Sequence, residues 1–135
     1  MIAERLRWIP LRRDEAPLQF AFESSVPFQD HRDYAVLLND WPYGVDHGIV
    51  HLIAWTKVPI PVSAESGDLA EESRRLVHDF VERFFVRHVE GGWGQVLWFK
   101  NWSGLQSVRG VDHVHILVRG ASQVLLEQWT ERLDL

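Results

Sequence analysis

The chain's hydrophobic patterning predicts an α+β fold, an antiparallel sheet packed with one long helix. Three observations predict it. Short β-branched and aromatic runs are bounded by turn-forming residues, one stretch from Asp68 to His88 repeats its apolar residues every three or four positions, and further short runs follow that stretch. At 135 residues, 46% of them hydrophobic and 24% charged, the chain suits a single domain, because one core most often serves about 100–150 residues.

Residues 1–33 mix charges with Pro10, Pro17 and Pro27 around short apolar pieces, and are expected to form an N-terminal arm or one edge strand. The α+β domain proper is expected over 34–135. Tyr34 to Leu38 reads as a strand, and Asn39-Asp40-Trp41-Pro42-Tyr43-Gly44 after it as a turn. Gly48 to Lys57 is apolar on both faces and stops at Val58-Pro59-Ile60-Pro61, which predicts a central strand covered on both sides. From Asp68 to His88 the spacing of Leu69, Leu76, Val77, Phe80, Val81, Phe84 and Phe85 predicts an amphipathic helix of about five turns. Asp68 with Glu71 suits a capping box, and Gly91-Gly92 suits its end. Gln95 to Phe99 is expected to be a second buried strand, Asn101 to Gly110 a polar loop, His113 to Val118 a further strand, and Leu125 to Leu133 a terminal helix.

Charge and composition narrow the partners. Fourteen basic residues against nineteen acidic leave a net charge of −5, so no basic field is present to hold a nucleic-acid backbone. With no cysteine there is no disulfide, zinc thiolate or cysteine nucleophile. The longest apolar runs fall short of the ~20 residues of a membrane span, and the charged start lacks the apolar stretch of a signal peptide. The expectation is a cytoplasmic protein with a small-molecule substrate and no nucleic-acid or membrane partner.

The strongest local signal is His113-Val114-His115. Alternate strand residues face the same way, so both imidazoles emerge on one side. The preceding loop, Lys100-Asn101-Trp102-Ser103-Gly104-Leu105-Gln106-Ser107-Val108, carries an amide, hydroxyls and glycine suited to lining an anion site. Trp102, in the polar loop, suits the wall of a pocket. Lys100 offers a point charge or is simply a solvated strand end. Arg109 and Arg119 flank the histidine strand as candidates for a phosphate or carboxylate. Asn39 and Asp40 shape a turn, or Asp40 adds a carboxylate to the pocket. His47 and His51 are four apart on one strand, and with His113 and His115 would supply four imidazole ligands for a divalent metal without any cysteine. His31, His78 and His88 are expected at the surface.

Two resemblances rest on these residues. Asn39-Asp40-Trp41-Pro42-Tyr43-Gly44, His51-Leu52-Ile53-Ala54-Trp55-Thr56-Lys57, Trp98-Phe99-Lys100-Asn101 with Leu105 and Ser107, and His113-Val114-His115 are together similar to a domain typified by the N-acetylglucosamine-induced proteins of fungi. More distantly, the order of long helix, strand, Asn-x-x-Gly-x-Gln-Ser-Val loop and His-x-His strand over residues 34–120 resembles the histidine triad superfamily of nucleotide hydrolases and transferases. The lysine of Trp55-Thr56-Lys57-Val58-Pro59 matches that pattern too, which makes Lys57 a substrate-binding candidate.

The triad resemblance implies a histidine-triad-like fold, a homodimer, no cofactor, and a hydrolase or transferase acting on a phosphorylated or nucleotide-like substrate. In one register His115 attacks phosphorus through a ring nitrogen freed because the other donates to a backbone carbonyl, His113 orients it, and Ser107 and Gln106 face the developing charge. Asn101, Lys100, Gln106, Trp102, Arg109, Lys57 and Asp40 are the substrate-binding candidates. In the other register His113 takes the middle place and His115 the last. The third triad place of the first register falls on Leu117, which donates no hydrogen bond. Two other readings therefore stay open. One is a metal-dependent or general acid/base enzyme using the clustered histidines; the other is a binding or regulatory protein without catalysis.

Overall fold

The computed structural model describes residues 6–11, 19–39, 48–100 and 111–130. It is an α+β structure in which four antiparallel strands, β1 (Tyr34–Leu38), β2 (Ile49–Thr56), β3 (Val96–Phe99) and β4 (Asp112–Arg119), form one sheet in the order β1-β2-β4-β3. A long helix, α1 (Glu71–Phe84), and a short one, α2 (Gln123–Thr130), are the α-helices of the described residues. Both β2 and β3 run antiparallel to β4 and so parallel to each other. Parallel strands need a long crossover, and α1 lies within it. The last strand then enters between the two.

The helix side of the sheet is a continuous apolar core. Leu52, Ala54, Val114, Ile116 and Val118 from the strands pack with Val77, Phe80, Val81 and Phe85 from α1 and its end, and with Trp129 of α2. Phe28 also enters this core, stacked on Phe80 at 4.3 Å between ring centres. Its φ of 64° is left-handed, a conformation that costs a phenylalanine about 1–2 kcal/mol, and burial of the ring offsets it. Asp33, itself buried, holds the arm by accepting the backbone N–H groups of Glu23 (2.7 Å) and Ser24 (2.9 Å).

On the opposite face a smaller cluster forms. Leu6, Trp8 and Phe20 of the arm cover Ala35, Leu37, Trp55 and Val111. This cover reaches the β1 side of the sheet, where it buries Trp55, while Leu97 on β3 is 60% exposed.

Three local expectations are corrected. No capping box forms: the helix is capped at Ala70 without a side-chain bond, because Val62 and Leu69 pair as a bridge and keep the chain extended to that point. Asp68 instead accepts from Leu69 N and pairs with Arg74. The α-helix ends at Phe84, and Val86–His88 is a 3-10 turn rather than a fifth helical turn. The strand expected to be buried is an edge strand, so only its inner residue, Val96, is fully covered.

Candidate functional site

Alternation on β4 divides its side chains cleanly. Val114, Ile116 and Val118 go to the dry helix side, which sends His113, His115 and Leu117 to the other face. Register does the rest. Trp55 lies opposite His113, Ile53 opposite His115 and His51 opposite Leu117 on β2, while Phe99 of β3 lies opposite His115 from the other side. Leu117 offers no hydrogen bond, but the residue facing it across the sheet is a histidine. Three imidazoles from two strands thus share one face.

They are linked in an ordered way. Asn39, just past the end of β1, donates its backbone N–H to the carbonyl of His51 (2.8 Å), and its side-chain Nδ2 lies 3.0 Å from His51 Nδ1. An amide nitrogen only donates, so His51 receives that bond at an unprotonated Nδ1 and carries its proton on Nε2. His51 Nε2 is 2.9 Å from His115 Nδ1 and donates there. His115 therefore holds its own proton on Nε2, a buried atom without a hydrogen-bond partner among the described residues. Phe99 stacks on the His115 ring with centres 4.8 Å apart and planes 7° from parallel, which fixes where that N–H is aimed. Trp55 Nε1 is a second buried donor left in the same condition.

His113 is held the other way round. Its Nδ1 donates to the carbonyl of Val111 (3.1 Å), so its Nε2 keeps a lone pair. The ring sits 4.5 Å from Trp55 and meets the His115 ring edge to face at 5.1 Å. In the sequence reading the ring bonded to a backbone carbonyl is His115; in the structure it is His113, because only that ring lies beside the carbonyl two residues before it.

Burial pushes all three imidazoles below their ordinary range. His115 falls to about 4, first through burial and then through its neighbours His113 and His51 and the positive charge of Lys100. His113 is lowered chiefly by burial, against the opposing pull of the Val111 carbonyl. The rings are neutral near pH 7, so their fixed tautomers decide what each one offers.

A family model described as a protein of unknown function, DUF3605, matches residues 1–119. The chain belongs to the DUF3605 family. This DUF3605 chain is 33% identical to N-acetylglucosamine-induced protein 1 of Candida albicans over 79% of its own length and 42% of the relative's. It is 32% identical to an uncharacterised protein of Saccharomyces cerevisiae over 87% of its length and 57% of that protein's. It thus spans about half the length of the curated relatives it matches. A crystal structure of a protein called HTC1 is similar to it with a TM-score of 0.68 and 27% identity, over 98% of this chain and 71% of that one.

Apart from Arg119, which ends β4, the site candidates read from the sequence of this DUF3605 chain separate into three groups. His51, His113 and His115 come together as described. Lys57 and Lys100 take up other contacts: Lys100, its side chain 3% exposed, pairs with Asp112 at 2.6 Å, and Lys57 lies over the Trp8 ring of the arm at 5.5 Å. Asp112 also accepts Ile60 N (2.8 Å) and His113 N (3.1 Å), tying β3, the proline-rich turn and β4 together. Asp40, His47, Asn101, Trp102, Gln106, Ser107 and Arg109 lie outside the described residues. The four-histidine metal set includes one of these, His47, and among the described residues no group of three histidine, aspartate or glutamate side chains is placed to hold a metal ion.

Sequence reasoning gave too little weight to Asn39 and passed over Phe99. Both act through strand register, Asn39 by pairing beside His51 and Phe99 by pairing with His115. The signal available was their position at strand ends next to histidine-bearing strands.

Proposed function

We propose that this face of the sheet is the active site of a small-molecule hydrolase or transferase acting on a phosphorylated or nucleotide-like substrate. One observation carries the reading: neighbouring neutral rings are held in opposite tautomers, His113 with a lone pair on Nε2 and His115 with a proton on Nε2. A pair divided in this way supplies attack or proton abstraction from one ring and a proton for the leaving group, or for charge building on an oxygen, from the other. The distant resemblance to the histidine triad superfamily supports the reaction class. His51 here does across the sheet what a third ring on β4 would do.

The test is a substrate panel of nucleoside phosphoramidates, dinucleotides and, given the name of the Candida relative, N-acetylglucosamine phosphates. Turnover that falls by about 10²–10⁴ in both His113→Gln and His115→Gln supports the proposal. Absence of turnover across the panel, or rates unchanged in both variants, rejects it.

A second reading, general acid/base catalysis on an uncharged metabolite, is favoured by the lysines. Lys100 is matched by Asp112 and Lys57 lies over Trp8, so neither lysine stands spare beside the rings to take a phosphate. Competition separates the two: inorganic phosphate inhibits the first activity and leaves the second untouched.

A further inference from the structure

On the same face as the histidines lies a hollow of about 320 Å³, at the lower end of the size range of small-molecule sites. Its walls are Ile49, Leu97, Leu117 and Trp93, with Arg119 among the lining residues. Strand register joins it to the imidazoles. Leu117 is opposite His51 and two residues along β4 from His115, and Leu97 pairs with Leu117. Arg119 is two residues further and faces the same way. At about 3.4 Å per residue, its backbone lies roughly 14 Å from that of His115.

Three features suit the hollow to a ligand. Trp93 is braced from behind by His78, stacked at 4.3 Å with planes 5° apart. At Gly94 a side chain would meet no atom within 4 Å, so the space beside it is open. Arg119 has no carboxylate partner among the described residues; Arg32, Arg74 and Arg75 each have one, and Arg83 and Arg87 do not. An apolar wall with one unmatched guanidinium selects for an apolar body ending in a forked oxyanion.

We propose that this hollow is a second subsite, which receives the aromatic or aliphatic part of the substrate and pairs its terminal carboxylate or phosphate with Arg119. The proposal rests on the reading of His113 and His115 as the reacting centre. It makes the substrate an elongated amphiphile, with the reacting group at the rings and an anionic end about four strand residues away.

The test uses 4-phenylbutyrate, phenyl phosphate and the neutral 4-phenylbutan-1-ol as probes, read by the Trp93 indole N–H in a ¹⁵N NMR spectrum and assigned by its loss in Trp93→Phe. Both anions are expected to shift that signal saturably, and the alcohol to bind about tenfold more weakly or worse. Arg119→Glu is expected to weaken the anions by at least about tenfold, and Gly94→Leu to abolish binding by filling the space. Equal binding of alcohol and anions, no saturable shift, or unchanged affinity in Arg119→Glu overturns the proposal. So does a shift that tracks protein concentration without probe and accompanies a doubled mass in sedimentation, since the hollow is then a contact between two copies. Probe binding without turnover on the substrate panel removes the reaction and leaves the subsite; turnover with a KM unmoved by Arg119→Glu removes the subsite and leaves the reaction.

Discussion

On the helix side of the sheet Leu52, Ala54, Val114, Ile116 and Val118 are wholly buried and carry no polar side-chain atom. One residue away in each strand, on the other side, stand His51, His113 and His115. Among the described residues the first face is covered by two helices, and the second by Leu6, Trp8 and Phe20 of the arm on the β1 side. The first is built for stability, where any polar atom would cost desolvation. The second holds two buried donors, His115 Nε2 and Trp55 Nε1, that have no hydrogen-bond partner among the described residues.

The contrast can be broken from either side. The largest effect is expected from Phe80→Ala, which removes the ring on which Phe28, Tyr34 and Phe84 pack; urea unfolding should show a loss of about 3–5 kcal/mol. Lys100→Met comes next. It leaves Asp112 with its charge unmatched, and because that carboxylate is partly exposed the expected loss is about 2–3 kcal/mol, with recovery in the Lys100→Met/Asp112→Asn double variant. Smaller still is Asn39→Ala, which removes the donor that sets the proton order in His51 and His115. Turnover should fall on the order of tenfold, the worth of one hydrogen bond, with an unfolding midpoint close to that of the parent.

The mildest test is acidity. The three rings have folded values lowered below the ~6.5 of the unfolded chain, so below that pH the unfolded state takes up protons that the folded state refuses. Stability is therefore full above pH ~6.5 and declines as pH falls toward about 4, where His115 itself titrates. Urea midpoints at pH 7.5 and 5.0 should show that decline, and His115→Gln should reduce it. An equal decline in His115→Gln would mean that the histidine face is no more sensitive than the rest.

The order of elements was legible because it depends on local spacing. The period of two in Asp112 to Arg119 and the three-and-four rhythm of Leu76, Val77, Phe80 and Val81 each identify an element from its own residues. Less was legible where a neighbour competes. Asp68 looks like a cap for α1, yet the bridge between Val62 and Leu69 holds the chain extended past it. Likewise Gln95 to Phe99 reads as a buried run, but the place of β3 at the sheet's edge is set by the entry of β4 between β2 and β3.

For the site, sequence alone determined that His113 and His115 project together, since alternation along a strand is a property of the backbone. It could not decide that His51 stands opposite Leu117, that Asn39 starts the chain of hydrogen bonds, or that Lys100 is matched by Asp112 and not left as a solvated strand end. Those facts join residues up to 66 positions apart. Only strand register brings such partners together, and register is settled by the packing of the whole sheet against its helices.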